Sequence, residues 1–401
     1  MATSSSATVL RRIEDAAEHV SGICFKTGPP QRIGAELEWT THYTDRPAAL
    51  VRPADLGRAL GPHAPAVLGT TDPVPLPGGG TVTLEPGGQV EISSAPATSL
   101  GSLLETVTSD QARLAELLAR AGIVLGERGL DPHRPAVRIL DTPRYAAMHL
   151  AFERDATPSG HTMMCSTAGL QVCLDAGTPE QLRARWEAVH EIGPPLLAAF
   201  ATSRMREGRD TGWACGRMAA WYGINSRRSG PVPRTADPVA DWVQYVLAAP
   251  LMCVRSRRDT WHVPDGITFA DWVRGALRRP PTVDDLEYHI STLFPPVRPR
   301  GYLEIRYLDA QPGTAWIAPA AIIATLMSDD TLLDATRELA APASGRWVPA
   351  ARDGLADPAT GRAAADLIDL ACRHLDRTGL SQPWRDQVAD IAGRRLRASV
   401  S

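Results

Sequence analysis

Five short segments alternate polar and apolar residues with a period of two, the spacing that places residues i and i+2 on one face of a β-strand. In Ile33–Trp39, Glu36 and Glu38 oppose Ala35, Leu37 and Trp39. Residues 81–85 set Glu85 against Leu84; after a Pro86-Gly-Gly turn, Gln89, Glu91 and Ser93 oppose Val90 and Ile92. Gln171, Cys173 and Asp175 oppose Leu170, Val172 and Leu174, and Tyr302, Glu304 and Arg306 oppose Leu303 and Ile305. Apolar residues at helical spacing predict helices over residues 10–20, 100–121, 179 to about 201, 241–249 and 269–277. Beyond residue 315 the chain reads as mostly helical, with a Gly/Pro break near 342–360 and a final amphipathic run. Residues 61–80, rich in Pro and Gly, read as a surface excursion, and 204–234, rich in Arg, Gly and Trp, as a long functional loop. These elements predict an α+β fold in one domain spanning 1–401. An antiparallel sheet within 31–309 has helices on its apolar back and a polar concave front, and 315–401 forms a helical C-terminal part.

Composition narrows the class. A chain of 401 residues that is 44% hydrophobic and 22% charged is neither disordered nor fibrous. Its longest apolar run, 315–327, falls short of the ~18 residues a membrane span needs and holds a proline, so no membrane partner is expected. Residues 1–8 lack a basic and then apolar pattern and read as a frayed terminus rather than a signal peptide. A net charge of -3 supplies no basic field, so nucleic acid is not an expected partner. Lys26 is the only lysine, so cationic chemistry falls to arginine, whose planar fork suits carboxylate and phosphate. The six cysteines form no C-x-x-C pair; they read as reduced thiols of a cytoplasmic protein, with neither a disulfide framework nor a cysteine zinc site.

Strand faces open to water usually mix Lys, Thr and Arg, whereas Glu36, Glu38, Glu85, Glu91 and Glu304 concentrate one sign of charge. Carboxylates ~4 Å apart repel by about 1 to 4 kcal/mol at surface-like dielectrics, a cost that cations relieve. Oxygen ligands of this kind suit Mg²⁺. Alternation alone leaves open whether the strands are neighbours and whether this face binds metal or is merely solvated. Arg306 shares the face of Glu304, either to meet phosphate oxygens or simply to pair with that glutamate. Among the arginines of the long loop, Arg209 is the favoured functional candidate, Arg217 and Trp221 are weaker ones, and solvation is the default for Arg227 and Arg228. His149 and His289 are candidates for substrate contact or for ordinary core and surface roles. Cys215 has no Cys-His context that would make it a nucleophile. No Walker loop exists, because Phe25 stands where the glycine before Lys26-Thr27 is required.

Six segments in order carry a resemblance: Gly34-Ala-Glu-Leu-Glu38; Leu84-Glu-Pro-Gly-Gly-Gln-Val-Glu-Ile-Ser-Ser-Ala-Pro96; Pro143-Arg-Tyr with Met148; Met163-Met164 leading to Gln171-Val-Cys-Leu-Asp175; Glu207-Gly-Arg-Asp-Thr-Gly212; and Phe294-Pro-Pro-Val-Arg-Pro-Arg-Gly-Tyr-Leu-Glu-Ile-Arg306. Over residues 31–309 the chain resembles the glutamate-cysteine ligases of the plant and actinobacterial type, within the glutamine-synthetase-like carboxylate-amine ligases. The resemblance implies ATP-dependent joining of the glutamate γ-carboxylate to the amine of cysteine through γ-glutamyl phosphate, with Mg²⁺ required, and looks most like the ligase that supplies ergothioneine synthesis. It implies Glu36, Glu38, Glu85, Glu91 and Glu304 as metal ligands. Arg306 and Arg209 become the candidate catalytic cations, and Gln171, Arg144, Arg217, Trp221 and Tyr302 the candidate substrate or ATP contacts. The chain departs from the plant pattern at Cys173, where those enzymes usually carry Asn, and at Pro296 and Pro299. A ligase that joins glutamate to another amine, and a lapsed binding module that keeps the fold, stay open alternatives; the intact set of acids with Arg306 argues against the second.

Overall fold

A computed structural model describes residues 8–256 and 260–397. The stretch read as a frayed terminus, apart from its last residue, and the end of the final amphipathic run lie outside the described residues. In chain order the strands are β1 (Ile33–Trp39), β2 (Thr41–Tyr43), β3 (Thr81–Leu84), β4 (Val90–Ser93), β5 (Ile123–Leu125), β6 (Gly169–Leu174), β7 (Met205–Arg206), β8 (Arg209–Asp210), β9 (Val297–Pro299) and β10 (Leu303–Asp309). Six of them form one sheet in the order β3-β4-β1-β6-β10-β9, with every neighbouring pair antiparallel. All five predicted alternating segments are in it. The sixth strand, β9, escaped the sequence reading because it has three residues and a proline. Proline donates nothing to a ladder and is tolerated at an edge, which is where β9 lies.

Alternation sorts the two faces as expected. Ala35, Leu37, Trp39, Val90, Ile92, Val172, Leu303 and Ile305 are all buried. Helices Leu100–Ala119, Gly193–Ala199 and Ile317–Leu326 cover that side, against β1, β10 and β6. In the last of these, Ile317, Ile322, Ile323 and Leu326 are fully enclosed, so the longest apolar run of the chain is a core helix. Among the described residues no single helix is long and apolar enough to cross a membrane.

Several boundaries differ from the periodicity. The helix expected over 179–201 is two, Pro179–Glu191 and Gly193–Ala199, because Pro194 and Pro195 cannot donate the bonds a continuous helix needs. Residues 204–234 are not one loop. A β7-β8 hairpin turns through Glu207 (φ 51°) and Gly208 (φ 73°), the paired positive angles of a tight hairpin turn, and short helices Gly216–Tyr222 and Ser226–Ser229 follow. The Gly/Pro break near 342–360 contains a helix, Trp347–Asp353. Helices Pro143–Arg154 and Pro158–Ser166 were not expected. The first has a legible start, Thr142 capping the Tyr145 N–H ahead of Pro143, but its apolar residues are too few to stand out.

Candidate active site

Register brings the acids together. On the front face Glu36 of β1 sits between Ser93 of β4 and Gln171 of β6, and Glu38 faces Glu91 across the β1-β4 pair. Glu85 enters from the turn between β3 and β4. Side chains at Gly87 and Gly88 are excluded from that turn: a Cβ at Gly87 would lie 2.0 Å from the Cys165 carbonyl oxygen, and Gly88 has φ 86°. Glu36, Glu38, Glu85 and Glu91 line a cavity of about 370 Å³ with Gln171, Arg144, Trp221, Tyr302 and Arg306.

The acidic side of this cavity has few cations. Glu91 accepts from Thr83 Oγ1 at 2.7 Å and Ser93 Oγ at 3.1 Å. Glu38 accepts the Gly169 N–H at 2.7 Å and Gln171 Nε2 at 3.3 Å. The carboxylates of Glu36 and Glu85 take no hydrogen bond or ion pair from any described residue. Burial and then the Glu38 charge push Glu85 up to about 7, and burial reinforced by Glu36, Glu38 and Glu85 raises Glu91 well above the carboxylate range. Glu36 is also raised, by burial and then Glu304, against the pull of Arg306.

The other side is built from arginines around one acid. Glu304 is fully buried; its Oε2 accepts from Arg298 Nε at 2.6 Å and Arg306 Nη1 at 2.9 Å, and its Oε1 from Arg300 Nη1 at 3.1 Å. Burial alone would raise its pKa, yet Arg298, Arg306 and Arg300 overcome that and hold it far below the usual carboxylate range. Arg306 Nη1 also donates to Gln171 Oε1, its guanidinium lies 5.7 Å from the Trp221 ring, and its buried Nε lacks a partner. Arg144 is held at the rim by bonds to Ser291 Oγ at 3.1 Å and Ser291 O at 3.0 Å.

The acidic donor set fits a hard divalent cation: four carboxylates, two of them without partners and three with raised pKa values, are a half-satisfied arrangement that positive charge completes. Among the described residues, no three of these acids bring carboxylate oxygens within 4.8 Å of one another. That spacing suits an ion such as Mg²⁺, which keeps waters and shares substrate oxygens rather than sitting in an all-protein cage.

Three residues singled out in the sequence lie elsewhere. Glu304 is not among the residues that line the cavity, and its two oxygens accept from Arg298, Arg300 and Arg306. Arg209 is exposed on the β7-β8 hairpin, which carries it to a separate cavity beside Glu207, Thr211 and Trp213. Arg217 is buried beneath the site: its Nη2 donates to the Arg306 carbonyl at 3.0 Å and its guanidinium lies 5.5 Å from the Trp221 ring. Arg227 is exposed, whereas Arg228 is buried and bonds Thr292 O at 2.6 Å. His289 is a core residue bonded to Val246 O at 2.9 Å, and burial drives its pKa down. Cys215 is enclosed, with Sγ 3.2 Å from Asp309 Oδ1 and a thiol pushed up by burial, which leaves it inert as a nucleophile. Cys173 lines an adjoining cavity of about 350 Å³ that shares Glu36, Ser93 and Tyr302 with the first. Arg298 and Arg300 were not proposed as site residues. Their signal was present: side chains with polar groups recur at 298, 300, 302, 304 and 306, extending the β10 alternation back into β9.

Comparison with known proteins places the whole chain in a family. The model of the family described as glutamate-cysteine ligase family 2 matches residues 32–394. The chain is 40% identical over 370 residues to the glutamate–cysteine ligase EgtA of Mycobacterium tuberculosis, covering 90% of this chain and 83% of that protein. It is 38% identical over 366 residues to EgtA of Mycolicibacterium smegmatis, covering 89% and 84%. With the chloroplastic glutamate–cysteine ligase of Arabidopsis thaliana it shares 30% identity over 324 residues, 75% of this chain and 61% of that one. In fold it is similar to the crystal structure of the glutamate–cysteine ligase of Francisella tularensis in complex with AMP, with a TM-score of 0.51 at 12% identity over 94% of this chain and 83% of that one.

Proposed function

The chain belongs to glutamate-cysteine ligase family 2, and on that premise we propose that it joins the γ-carboxylate of L-glutamate to the amine of L-cysteine at the cost of one ATP, giving γ-glutamylcysteine, ADP and phosphate. Similarity to the EgtA proteins supports a role in ergothioneine biosynthesis. One observation carries the mechanism: a single cavity with an acid-lined side short of cations and an opposing side of arginines. A triphosphate and an attacking carboxylate both bring negative charge, and such a cavity can neutralise it from two directions.

Glu36, Glu38, Glu85 and Glu91 would hold Mg²⁺, which when bound draws charge from phosphate oxygens and screens the incoming carboxylate from ATP. The chain's own groups do the rest. Arg306, fixed by Glu304, Gln171 and the Trp221 ring, directs its guanidinium at the cavity, where it can stabilise charge growing on the transferred phosphoryl group. Arg298 and Arg300 share the same carboxylate, so Glu304 gathers three guanidinium groups on that side of the cavity. Arg144, Trp221 and Tyr302 supply the remaining wall for the substrates. A γ-carboxylate oxygen attacks the γ-phosphorus and ADP leaves; the neutral cysteine amine then attacks the acyl carbon, phosphate leaves with that oxygen, and the proton lost from nitrogen passes to the departing phosphate or to water.

The family match across 32–394 and the packing of helix Ile317–Leu326 on β6 support one catalytic domain. Six free cysteines support a reducing, cytoplasmic setting. Glutamate labelled with ¹⁸O in its γ-carboxylate tests the route: one labelled oxygen should appear in phosphate alongside ADP and γ-glutamylcysteine. Unlabelled phosphate, or AMP with pyrophosphate, overturns it, and candidate amines added singly, with products identified by mass, decide the acceptor.

A further inference from the structure

A further cavity, of about 990 Å³, opens between helices Pro53–Leu60 and Leu100–Ala119 and shares no lining residue with the acidic one. Five arginines line it from three separate segments. Arg46 comes from the loop after β2, Arg52 and Arg58 from the start and last turn of the first helix, and Arg113 and Arg120 from the second helix and its C-cap.

The carboxylates around them are fewer. Asp55 is shared: its Oδ2 accepts from Arg52 Nε at 2.7 Å and from the Tyr43 hydroxyl, and its Oδ1 from Arg52 Nη2 at 3.1 Å and from Arg58. Glu116 is shared in the same way, by Arg113 at 2.7 Å and by Arg120. Arg46 lies 3.9 Å from Asp45, with its guanidinium 4.6 Å over the Tyr43 ring. Five guanidinium groups thus meet three carboxylates, an excess of two positive charges on a chain whose formal net charge is -3. Exposed arginines elsewhere are matched singly, Arg204 with Asp210, Arg373 with Asp369 and Arg394 with Asp390. A matched surface pair is a solvated face with little pull on anything else.

A guanidinium that shares a carboxylate has N–H donors left over, and its planar fork suits phosphate oxygens taken in pairs. We propose that this cavity binds a small molecule carrying more than one phosphate group. Arginines on three segments can grip such an anion from several directions, and its two or more charges match the excess around it. Leu60, Leu117 and the Tyr43 ring in the same wall can cover the non-phosphate part. No residue of this cavity lines the one assigned to ligation, so binding here takes no part in that reaction.

The test uses the full chain, freed of metal and with the chelator dialysed away, titrated with inorganic tripolyphosphate at low salt. Under those conditions Glu36, Glu38, Glu85 and Glu91 repel a triphosphate, so binding reports the arginine-lined cavity. One equivalent should bind, raise the melting temperature and weaken as salt rises, because exposed charges are screened. Arg46→Gln combined with Arg120→Gln removes the excess charge at well-exposed positions and should weaken binding about ten-fold. Arg373→Gln combined with Arg394→Gln changes net charge equally on helices Pro358–Arg373 and Gln382–Arg397, whose residues line neither cavity, and should leave binding within about two-fold, as should Arg306→Gln. Loss of binding in Arg306→Gln alone would place the anion in the ligase cavity and overturn the proposal. So would equal losses in the two double variants, which mark a response to net charge only, and so would no binding at concentrations on the order of millimolar. The titration needs no turnover, so its outcome stands apart from that of the ligase reaction.

Discussion

Glu91 and Glu304 are both buried glutamates on the front of one sheet, on β4 and β10, and their electrostatics are opposite. Glu91 is surrounded by Glu36, Glu38 and Glu85 and its pKa is raised; Glu304 is surrounded by Arg298, Arg300 and Arg306 and its pKa is lowered. The role of an acid on this face is therefore set by its cross-strand neighbours. Near β4 an acid waits for a cation from solution, whereas on β10 it is already spent on organising arginines. That division gives the cavity two sources of positive charge for an anionic transition state, one exchangeable and one built in.

The largest effect should come from Glu304→Gln. It leaves three guanidinium groups around a neutral side chain, two of them buried or nearly so, and breaking a buried charge pair costs about 3–5 kcal/mol. Denaturant melts of the metal-free protein should show that loss, and turnover should fall with it as Arg306 loses its anchor. If the variant melts like the parent, the built-in half of the comparison fails.

Glu38→Gln should do the opposite. It removes one charge from a repulsive group while Leu37 and Trp39 still hold β1 to its helical cover. Turnover should drop on the order of a hundred- to a thousand-fold, as when one group stabilising transition-state charge is removed, with metal-free stability unchanged or slightly raised. Steady-state assays across a Mg²⁺ titration, paired with melts in chelator, measure both. Near-parent activity at low Mg²⁺ would remove the acidic half from the mechanism.

Acidity sharpens the contrast further. Glu85 titrates at about 7 in the folded chain against an ordinary 4.5, so the folded state holds its proton more tightly. The stability this gives is fully present below pH 4.5 and is lost as pH rises through 7, up to roughly 3 kcal/mol from this group alone. Glu91 and Glu36 act in the same direction. Glu304 has the reverse sign: its contribution is present above the unfolded pKa and disappears only in strong acid. Metal-free melts should therefore fall between pH 5 and 8, and the stabilisation by Mg²⁺ should grow over the same interval because binding needs deprotonated carboxylates. Metal-free melts that are flat or rise would contradict the raised values.

The smallest effect is expected at Arg209. On an exposed hairpin away from both halves, Arg209→Ala should change turnover less than two-fold and stability within about 0.5 kcal/mol. A large loss of kcat would show that the hairpin closes over the cavity.

Local pattern determined much of this protein. Alternation with period two marked every core strand of the sheet except β9 and put Glu36, Glu38, Glu85, Glu91, Gln171 and Arg306 on its polar face, because side-chain direction along a strand depends only on neighbours in the chain. Motif order pointed to the ligase family for the same local reason. Periodicity failed where local signals conflict or are short: at Pro194, at the three-residue β9, and in 204–234, where Arg, Gly and Trp conceal a hairpin and two helices. What a single chain direction cannot carry is which strands become neighbours. Only the order β3-β4-β1-β6-β10-β9 set Glu38 against Glu91, and only the β9-β10 pairing set Arg298 against Glu304. Coulomb energy and burial act across space, so five glutamates that look alike in sequence came to differ once the sheet was assembled: four among acids and one, Glu304, among arginines.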